Sequence, residues 1–336
     1  MTTPSPDSPV RFGLVGCGRV APTHFDAIEA LGDTGKLVAV CDSDPTALAD
    51  AVSRTGAEGY GKLEDMLARK DIDVVSVCTP SGLHAEHGIA AARAGKHVLV
   101  EKPIDVTLEK ARALVDACEK AGVRLFPVFQ NRLNTTVQLL KQAIDAGRFG
   151  KIYAINSTVI WKREQDYYDT AAWRGTRAMD GGAFMNQGIH FVDAMRYLGG
   201  EIVEVKSMLG TLARDIECED TGSALFRFEN GALGNIFVTM LGPSDQEGSL
   251  TVIGKNGTVR LGGPCMNTID QWDFQEPDPA MDANAHDADY HTNSVYGVGH
   301  RAFYRQLADA ATNRAMPDGE DGLSTLRLLI RIYEQT

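Results

Sequence analysis

Lys102 and His190 are the two side chains of this 336-residue sequence best suited to moving a proton at a reacting hydroxyl. Oxidising an alcohol needs a hydride acceptor and a group that takes the hydroxyl proton. Lys102 follows the apolar run His97–Val100, at the C-terminal end of a predicted buried strand, where open α/β sheets place their ligands. Pro103 sets the chain direction behind it, and Glu101 is available to pair with cofactor hydroxyls or with Lys102. A positively charged nicotinamide nearby would loosen the lysine's proton by like-charge repulsion. His190 falls four residues after Asn186 on a predicted helix over Gly181–Leu198, so both face one way. An imidazole is the natural base near pH 7. Asn186 would orient the hydroxyl or the histidine without supplying charge. The preferred assignment is His190 as base and Lys102 as hydroxyl donor and orienter; the reverse stays open. On residue type alone a surface lysine after a strand and a satisfied core histidine are the favoured readings; the surrounding motifs are what implies the catalytic assignment.

The run Gly16-Cys17-Gly18-Arg19-Val20-Ala21 has the G-x-G-x-x-A spacing of a dinucleotide fingerprint. Gly16 allows the tight turn, Gly18 lets the backbone approach a pyrophosphate, and Ala21 keeps a helix close to its strand. The backbone of Arg19 and Val20 opens that helix, whose N-terminus would face the phosphates. The second strand ends at Asp42, where an acid binds ribose hydroxyls, and Asp42-Ser43-Asp44 offers no cation for a 2′-phosphate. NAD is therefore expected over NADP.

The elements that must position these groups alternate over the first half. Strands are predicted at Arg11–Val15, Lys36–Cys41, Val74–Cys78, His97–Val100 and Leu125–Phe129. Helices are predicted between them, at Ala21–Leu31, Pro45–Arg54, Leu83–Ala94 and Thr107–Ala121. Continuous apolar strands alternating with helices imply a parallel sheet covered on both faces. From Lys151 the pattern changes to strand-like runs at Lys151–Trp161, Ile202–Leu209, Ser223–Phe228, Leu233–Leu241, Leu250–Ile253 and Val259–Leu261. Asn230-Gly231 and Asn256-Gly257 mark hairpins. Gly263–His300, rich in Pro and Asp, reads as a long functional loop. Gly299–Ala311 and Leu323–Tyr333 read as amphipathic helices able to pack back on the first domain. The expected fold class is α/β: a disordered lead-in over 1–9, a Rossmann dinucleotide-binding domain over 10–130, and an α+β domain over 131–336 with a large, mostly antiparallel sheet.

The net charge of −12 argues against a nucleic-acid surface. No apolar run reaches the length of a membrane span, and Met1–Pro9 lacks the features of a signal peptide. Six scattered cysteines with no C-x-x-C pair point to reduced thiols in the cytoplasm. His84 and His87 lack a third ligand at suitable spacing, so no metal is expected.

Gly16-Cys17-Gly18, Cys41-Asp42, Thr79-Pro80-Ser81, His84, Glu101-Lys102-Pro103 and Asp180-Gly181-Gly182 to His190 together resemble the glucose-fructose oxidoreductase/inositol dehydrogenase (Gfo/Idh/MocA) family. The resemblance runs from about Arg11 to near the C-terminus, and it is what implies the catalytic assignment of Lys102 and His190. It implies substrate bound between the second domain's sheet and the nicotinamide, and a homo-oligomer, dimer or tetramer, built on the sheet face. Phe129-Gln130-Asn131-Arg132-Leu133-Asn134, Ala172-Trp173-Arg174-Gly175 and Gly182-Ala183-Phe184-Met185-Asn186-Gln187 resemble the UDP-N-acetyl-glucosaminuronate 3-dehydrogenases. These oxidise a sugar C3 hydroxyl in O-antigen biosynthesis, ahead of a PLP aminotransferase. The resemblance implies Trp173 and Arg174 at the nicotinamide end of the cofactor. Thr79, Ser81, His84, Glu101 and Gln130 are expected near the cofactor, and Arg163, Arg177, His300, Arg301 and Tyr304 are candidate donors to substrate. Asn186 departs from the many inositol-type members that carry Asp there, so the resemblance does not imply a carboxylate-assisted histidine. The chain also stops at Thr336 where many members continue, so a smaller terminal contact is expected. Readings of other kinds are a dehydrogenase of a free polyol or another nucleotide sugar, and a non-catalytic NAD-binding regulator.

Overall fold

The computed structural model describes residues 9–292, 295–309 and 316–335. All of the expected lead-in except Pro9, and the last two residues of the helix predicted to end at Ala311, lie outside them. Two compact units form: residues 1–128 with 300–326, and residues 129–299 with 327–336. Residues 300–326, which include most of the first helix expected to be able to pack back on the first domain, cluster with the first unit.

The first unit is a six-stranded parallel sheet. Its strands are β1 (Val10–Val15), β2 (Gly35–Cys41), β3 (Glu58–Tyr60), β4 (Val74–Val77), β5 (His97–Val100) and β6 (Leu125–Pro127), in the order β3-β2-β1-β4-β5-β6. The connecting helices are α1 (Ala21–Glu29), α2 (Pro45–Thr55), α3 (Leu63–Leu67), α4 (His84–Arg93) and α5 (Leu108–Ala121). All four residues of β4 are buried, as apolar strands covered on both faces must be. The strand order turns back between β1 and β4, and ligands of open α/β sheets bind at such a switch point.

The second unit opens with a 3₁₀ turn (Gln130–Leu133), α6 (Thr135–Asp145), β7 (Ile152–Ile160) and α7 (Gln165–Asp169). A π-helical segment, Phe184–Gly188, then runs into α8 (Ile189–Gly199). The strands β8 (Ile202–Gly210), β9 (Thr221–Phe228), β10 (Leu233–Thr239), β11 (Glu247–Gly254), β12 (Gly257–Gly262) and β13 (Thr268–Phe274) complete a seven-stranded sheet with β7, ordered β13-β12-β11-β7-β10-β9-β8. Only β7 and β10 pair in parallel. The stretch read as a long loop over Gly263–His300 instead holds β13 and α9 (Pro279–Asp287). The chain closes with α10 (Gly299–Ala308) and α11 (Gly319–Tyr333). α8 packs tightly on the sheet: a Cβ on Gly199 would meet Ile155 and Phe228 at 2.5 and 2.6 Å. Among the described residues, no helix is long and apolar enough to cross a membrane.

Candidate active site

The glycine loop leaves β1 and turns into α1. Gly16 has φ +92°, and a Cβ there would lie 2.6 Å from the Cys78 carbonyl, so any other residue would meet backbone. Above Gly18 nothing lies within 4 Å of where a Cβ would sit. The first turn of α1 has no acidic residue and no side-chain cap. These are the features of a cradle for an anionic dinucleotide. Asp42, half-buried at the end of β2, accepts the Cys17 N–H at 2.7 Å and the Asp44 N–H at 2.9 Å. Its carboxylate therefore stiffens the glycine loop from the position where ribose hydroxyls are expected.

Beyond β4, the Thr79 carbonyl and the Pro103 carbonyl face the two ring nitrogens of His84, at 2.8 and 2.7 Å. Burial pushes the His84 pKa below the usual range. His84 is expected near the cofactor, and its buried ring lies between the Thr79 and Pro103 loops. The Thr79 hydroxyl meets His87 at 3.0 Å, and Ser81 is buried at the start of a 3₁₀ turn.

Glu101, expected to pair with cofactor hydroxyls or with Lys102, accepts the Lys102 N–H at 3.1 Å, and its buried carboxyl lies 2.9 Å from His24 Nε2 and 3.4 Å from His300 Nε2. His24 Nδ1 meets the Tyr304 hydroxyl at 2.8 Å, which in turn meets Ser76 at 2.8 Å. Ser76, Tyr304, His24 and Glu101 form one continuous hydrogen-bonded chain that ends with His24 donating to the carboxylate. Burial alone would raise the Glu101 pKa, but hydrogen bonds from His24 and His300 outweigh it and hold the group well below the carboxylate range. One ligand atom each of His24, Glu101 and His300 lie within 4.8 Å of one another, and the hydrogen bonds account for His24 and Glu101 without an ion. The network fixes the backbone that carries the half-buried Lys102. Tyr304 and His300, expected as substrate donors, are fully or almost fully buried in this network; Arg301 on the same helix is exposed.

In the second unit, His190 sits on α8, 5% exposed, with Gln130 Nε2 at 3.4 Å from its Nε2. With Gln130 donating, the lone pair on Nε2 of His190 is taken up by the amide, and a substrate hydroxyl must displace that contact to use it. Gln130, expected at the cofactor, thus faces the histidine. Asn186 belongs to the π-helical segment and donates to Asp180, whose other oxygen accepts the Gly175 N–H at 2.7 Å. Arg163 is buried; its guanidinium donates to Asp245 at 2.9 Å and stacks near Trp161 and Tyr167, so the structure spends it on the fold. Arg177 lies along Glu217. Arg174 packs over Trp173 and Tyr167 and donates to the Tyr167 hydroxyl at 2.6 Å.

The arrangement that sequence reasoning missed is Arg132–Asp193. The guanidinium grips the carboxylate twice, at 2.8 and 2.7 Å, with both side chains buried. Asp193 is three residues past His190, so this pair holds the 3₁₀ turn carrying Gln130 against the helix carrying the histidine. The available signal was a single acid within the apolar run Ile189–Met195.

A glycine cradle at a switch point, an acid at the end of β2, and a lysine on the strand-end network define a dinucleotide-dependent oxidoreductase. Residues 10–129 match the oxidoreductase family with an NAD-binding Rossmann fold, and residues 137–260 match the GFO/IDH/MocA C-terminal domain. The chain belongs to the Gfo/Idh/MocA oxidoreductases, and its cofactor is NAD. It is similar to the WlbA dehydrogenase of Bordetella pertussis, solved with NADH and UDP-GlcNAcA: 48% identity, TM-score 0.94, covering 99% of this chain and 96% of that one. The WlbA dehydrogenase of Chromobacterium violaceum, solved with the same two molecules, shows 47% identity and a TM-score of 0.93, covering 100% and 96%. Among curated relatives, 1-carboxy-3-chloro-3,4-dihydroxycyclohexa-1,5-diene dehydrogenase of Comamonas testosteroni is 32% identical over 68% of this chain, a match spanning 57% of that protein.

Proposed function

We propose that this chain oxidises the C3 hydroxyl of a UDP-N-acetyl-hexosaminuronate, specifically UDP-N-acetyl-glucosaminuronate, to the 3-keto sugar, in nucleotide-sugar biosynthesis of the O-antigen type. The observation that carries the reading is 48% identity maintained over 99% of the chain with a dehydrogenase solved with NADH and UDP-GlcNAcA. NAD, with its pyrophosphate on the glycine cradle, would supply its oxidised nicotinamide as the acceptor for the C3 hydride. His190 takes the hydroxyl proton through Nε2, whose one lone pair turns from the Gln130 amide to the substrate hydroxyl when the sugar binds. Lys102 donates a hydrogen bond to the same oxygen and steadies it as it becomes a carbonyl. Asn186, anchored on Asp180, positions the sugar ring. Thr79, Ser81 and the Trp173–Arg174 pair line the cofactor, and Arg301 is the remaining donor for the diphosphate.

The 3-keto product acidifies its neighbouring C–H bonds, so a PLP aminotransferase is the class of enzyme that consumes it. The protein works in the cytoplasm as a homo-oligomer. Met208, Leu225, Leu233 and Phe237 stand 37–81% exposed on β8, β9 and β10, and their cross-strand register puts them on one sheet face. Arg227, Glu204, Lys206 and Asn235 share that face, and large exposed apolar side chains among polar ones suit a contact between copies of the chain. The test supplies C3-deuterated UDP-N-acetyl-glucosaminuronate, NAD, a second oxidant such as 2-oxoglutarate, an aminotransferase and an amino donor. Loss of the deuterium, with the amino sugar detected by mass spectrometry, is expected. Retained deuterium, or turnover only with inositol or free glucose, overturns the assignment.

A further inference from the structure

We propose that Asp180 is the positioning residue that fixes which way the Asn186 carboxamide faces, so that its carbonyl oxygen and not its amino group is left to the sugar. The inference rests on the reading of Asn186 as a group that touches the sugar.

A carboxamide is nearly symmetrical in shape and opposite in chemistry at its two ends: the oxygen accepts and the nitrogen donates. Asn186 on its own could offer either end to a substrate. Asp180 removes that choice. Its carboxylate can only accept, and Oδ1 accepts from Asn186 Nδ2. The amino end is thereby held on the aspartate, and the carbonyl end is turned away from it. Asn186 is half-buried in the π-helical segment, four residues ahead of His190.

The carboxylate must itself be fixed for this to work, and the loop before it does that. Asp180 is 1% exposed, and its Oδ2 accepts the Gly175 N–H at 2.7 Å. The N–H groups of Asp180 and Gly181 both reach the Thr176 carbonyl, at 3.0 Å. Residues 175–180 are thus closed into a ring by side chain and backbone together. Gly175 is pinned from its other side as well: its carbonyl accepts the Glu217 and Cys218 N–H groups, both at 3.1 Å. Gly175 has φ +69°, and a Cβ there would come 2.6 Å from Ile216, so the position takes glycine. Trp173 and Arg174, proposed to line the cofactor, come directly before it. One carboxylate therefore serves two donors, a backbone N–H that cannot turn and a side-chain amide that can.

The same arrangement accounts for the asparagine. Many inositol-type members of the family carry Asp where this chain has Asn186. A carboxylate there would face the Asp180 carboxylate and be repelled by it. This chain keeps the charge at 180 and the amide at 186, and an acceptor oxygen is still left for the sugar. Asp180 touches neither substrate nor cofactor in this account.

The experiment compares wild type with Asp180→Asn, Asn186→Asp, the exchange Asp180→Asn/Asn186→Asp, and Asp180→Ala. In Asp180→Asn the new amide gives its oxygen to the Gly175 N–H, which cannot turn, and so presents its NH2 to residue 186. Asn186 must then rotate its carbonyl inward and offer the sugar a donor. This variant is expected to bind NAD within about twofold of wild type and to lose roughly 10- to 100-fold in kcat/KM for UDP-N-acetyl-glucosaminuronate in the coupled assay. Asn186→Asp sets two carboxylates together and should lose at least as much. The exchange restores a donor facing an acceptor, with an acceptor left for the sugar. Its kcat/KM should return to within about fivefold of wild type, far above the product of the two single losses. Asp180→Ala, which also releases Gly175, should weaken NAD as well as sugar. The second readout needs no substrate: the thermal midpoint should fall in Asn186→Asp, recover in the exchange, and stay close to wild type in Asp180→Asn. Wild-type kcat/KM in Asp180→Asn, or an exchange whose kcat/KM falls to the product of the single losses, overturns the proposal. No turnover in any of the proteins, wild type included, with the midpoint recovering in the exchange, leaves the Asp180–Asn186 pair standing and refutes the substrate assignment instead.

Discussion

Replacing Asp193 by alanine should be among the most damaging single changes in the second unit, and the reason is the guanidinium it leaves behind. Arg132 and Asp193 are 8% and 2% exposed at the side chain and make two charge-assisted hydrogen bonds of 2.7 and 2.8 Å. Arg132 also stacks over Phe129 and Tyr197, at 5.0 and 4.8 Å from the ring centroids, which pins it in place. It cannot swing to water without undoing that packing. Removing one member of a buried pair strands the other charge and costs about 3–5 kcal/mol. For a unit of this size, where 1 kcal/mol moves the midpoint by roughly 2–4 °C, the melting temperature should drop by roughly 6–20 °C. The double variant Arg132→Met/Asp193→Leu, apolar at both positions, should recover most of that loss, because an apolar pair pays no desolvation. Its turnover should stay depressed, since nothing then holds the Gln130 turn against α8. Denaturant unfolding of both single variants and the double variant gives the coupling energy directly. A cost below about 1 kcal/mol for Asp193→Ala would show that the charge is solvated and that the pair does not hold Gln130 beside His190.

Lys102→Ala and His190→Ala should each bind NAD normally yet lose roughly 100- to 10,000-fold in turnover, measured in the coupled assay; near-normal turnover in either removes that residue from the mechanism. Asp42→Ala should weaken NAD binding and narrow the preference over NADP in parallel titrations, because the carboxylate would otherwise repel a 2′-phosphate and also braces the glycine loop through Cys17. Stability should depend on pH through Glu219. Its folded pKa of about 7 lies above its ordinary value of 4.5, so the unfolded chain releases this proton first. The contribution is complete below pH 4.5 and lost as pH rises through 7, about 3 kcal/mol in all. Urea midpoints from pH 4.5 to 8 should fall less steeply in Glu219→Gln than in wild type.

What the sequence discloses and what it withholds follow one physical division. The first sheet was legible because its strands are apolar on both faces and its helices end on glycine, as at Gly122, and the cofactor loop because Gly16 and Gly18 sit where backbone must come close. β3 escaped because three residues, Glu58–Tyr60, carry no pattern, and β13 because Thr268–Phe274 is partly or wholly exposed along its length and so shows no alternation. The π-helical segment is invisible to a 3.6-residue period. The harder losses are the buried polar groups. Tyr304 and His300 read as substrate donors because an anionic substrate needs hydrogen-bond donors and their side chains are of that type. Here they face the core, where Glu101, some 200 residues away, needs them. Glu101 is local to Lys102 in sequence, but His24 and His300 are not, and neither is Asp193 to Arg132. Spacing reveals partners one turn or one strand apart; a buried charge takes its partner wherever the fold delivers one. The residues a single sequence misreads at this site are therefore those that hold the reacting side chains in place, because their roles exist only after the chain has closed on itself.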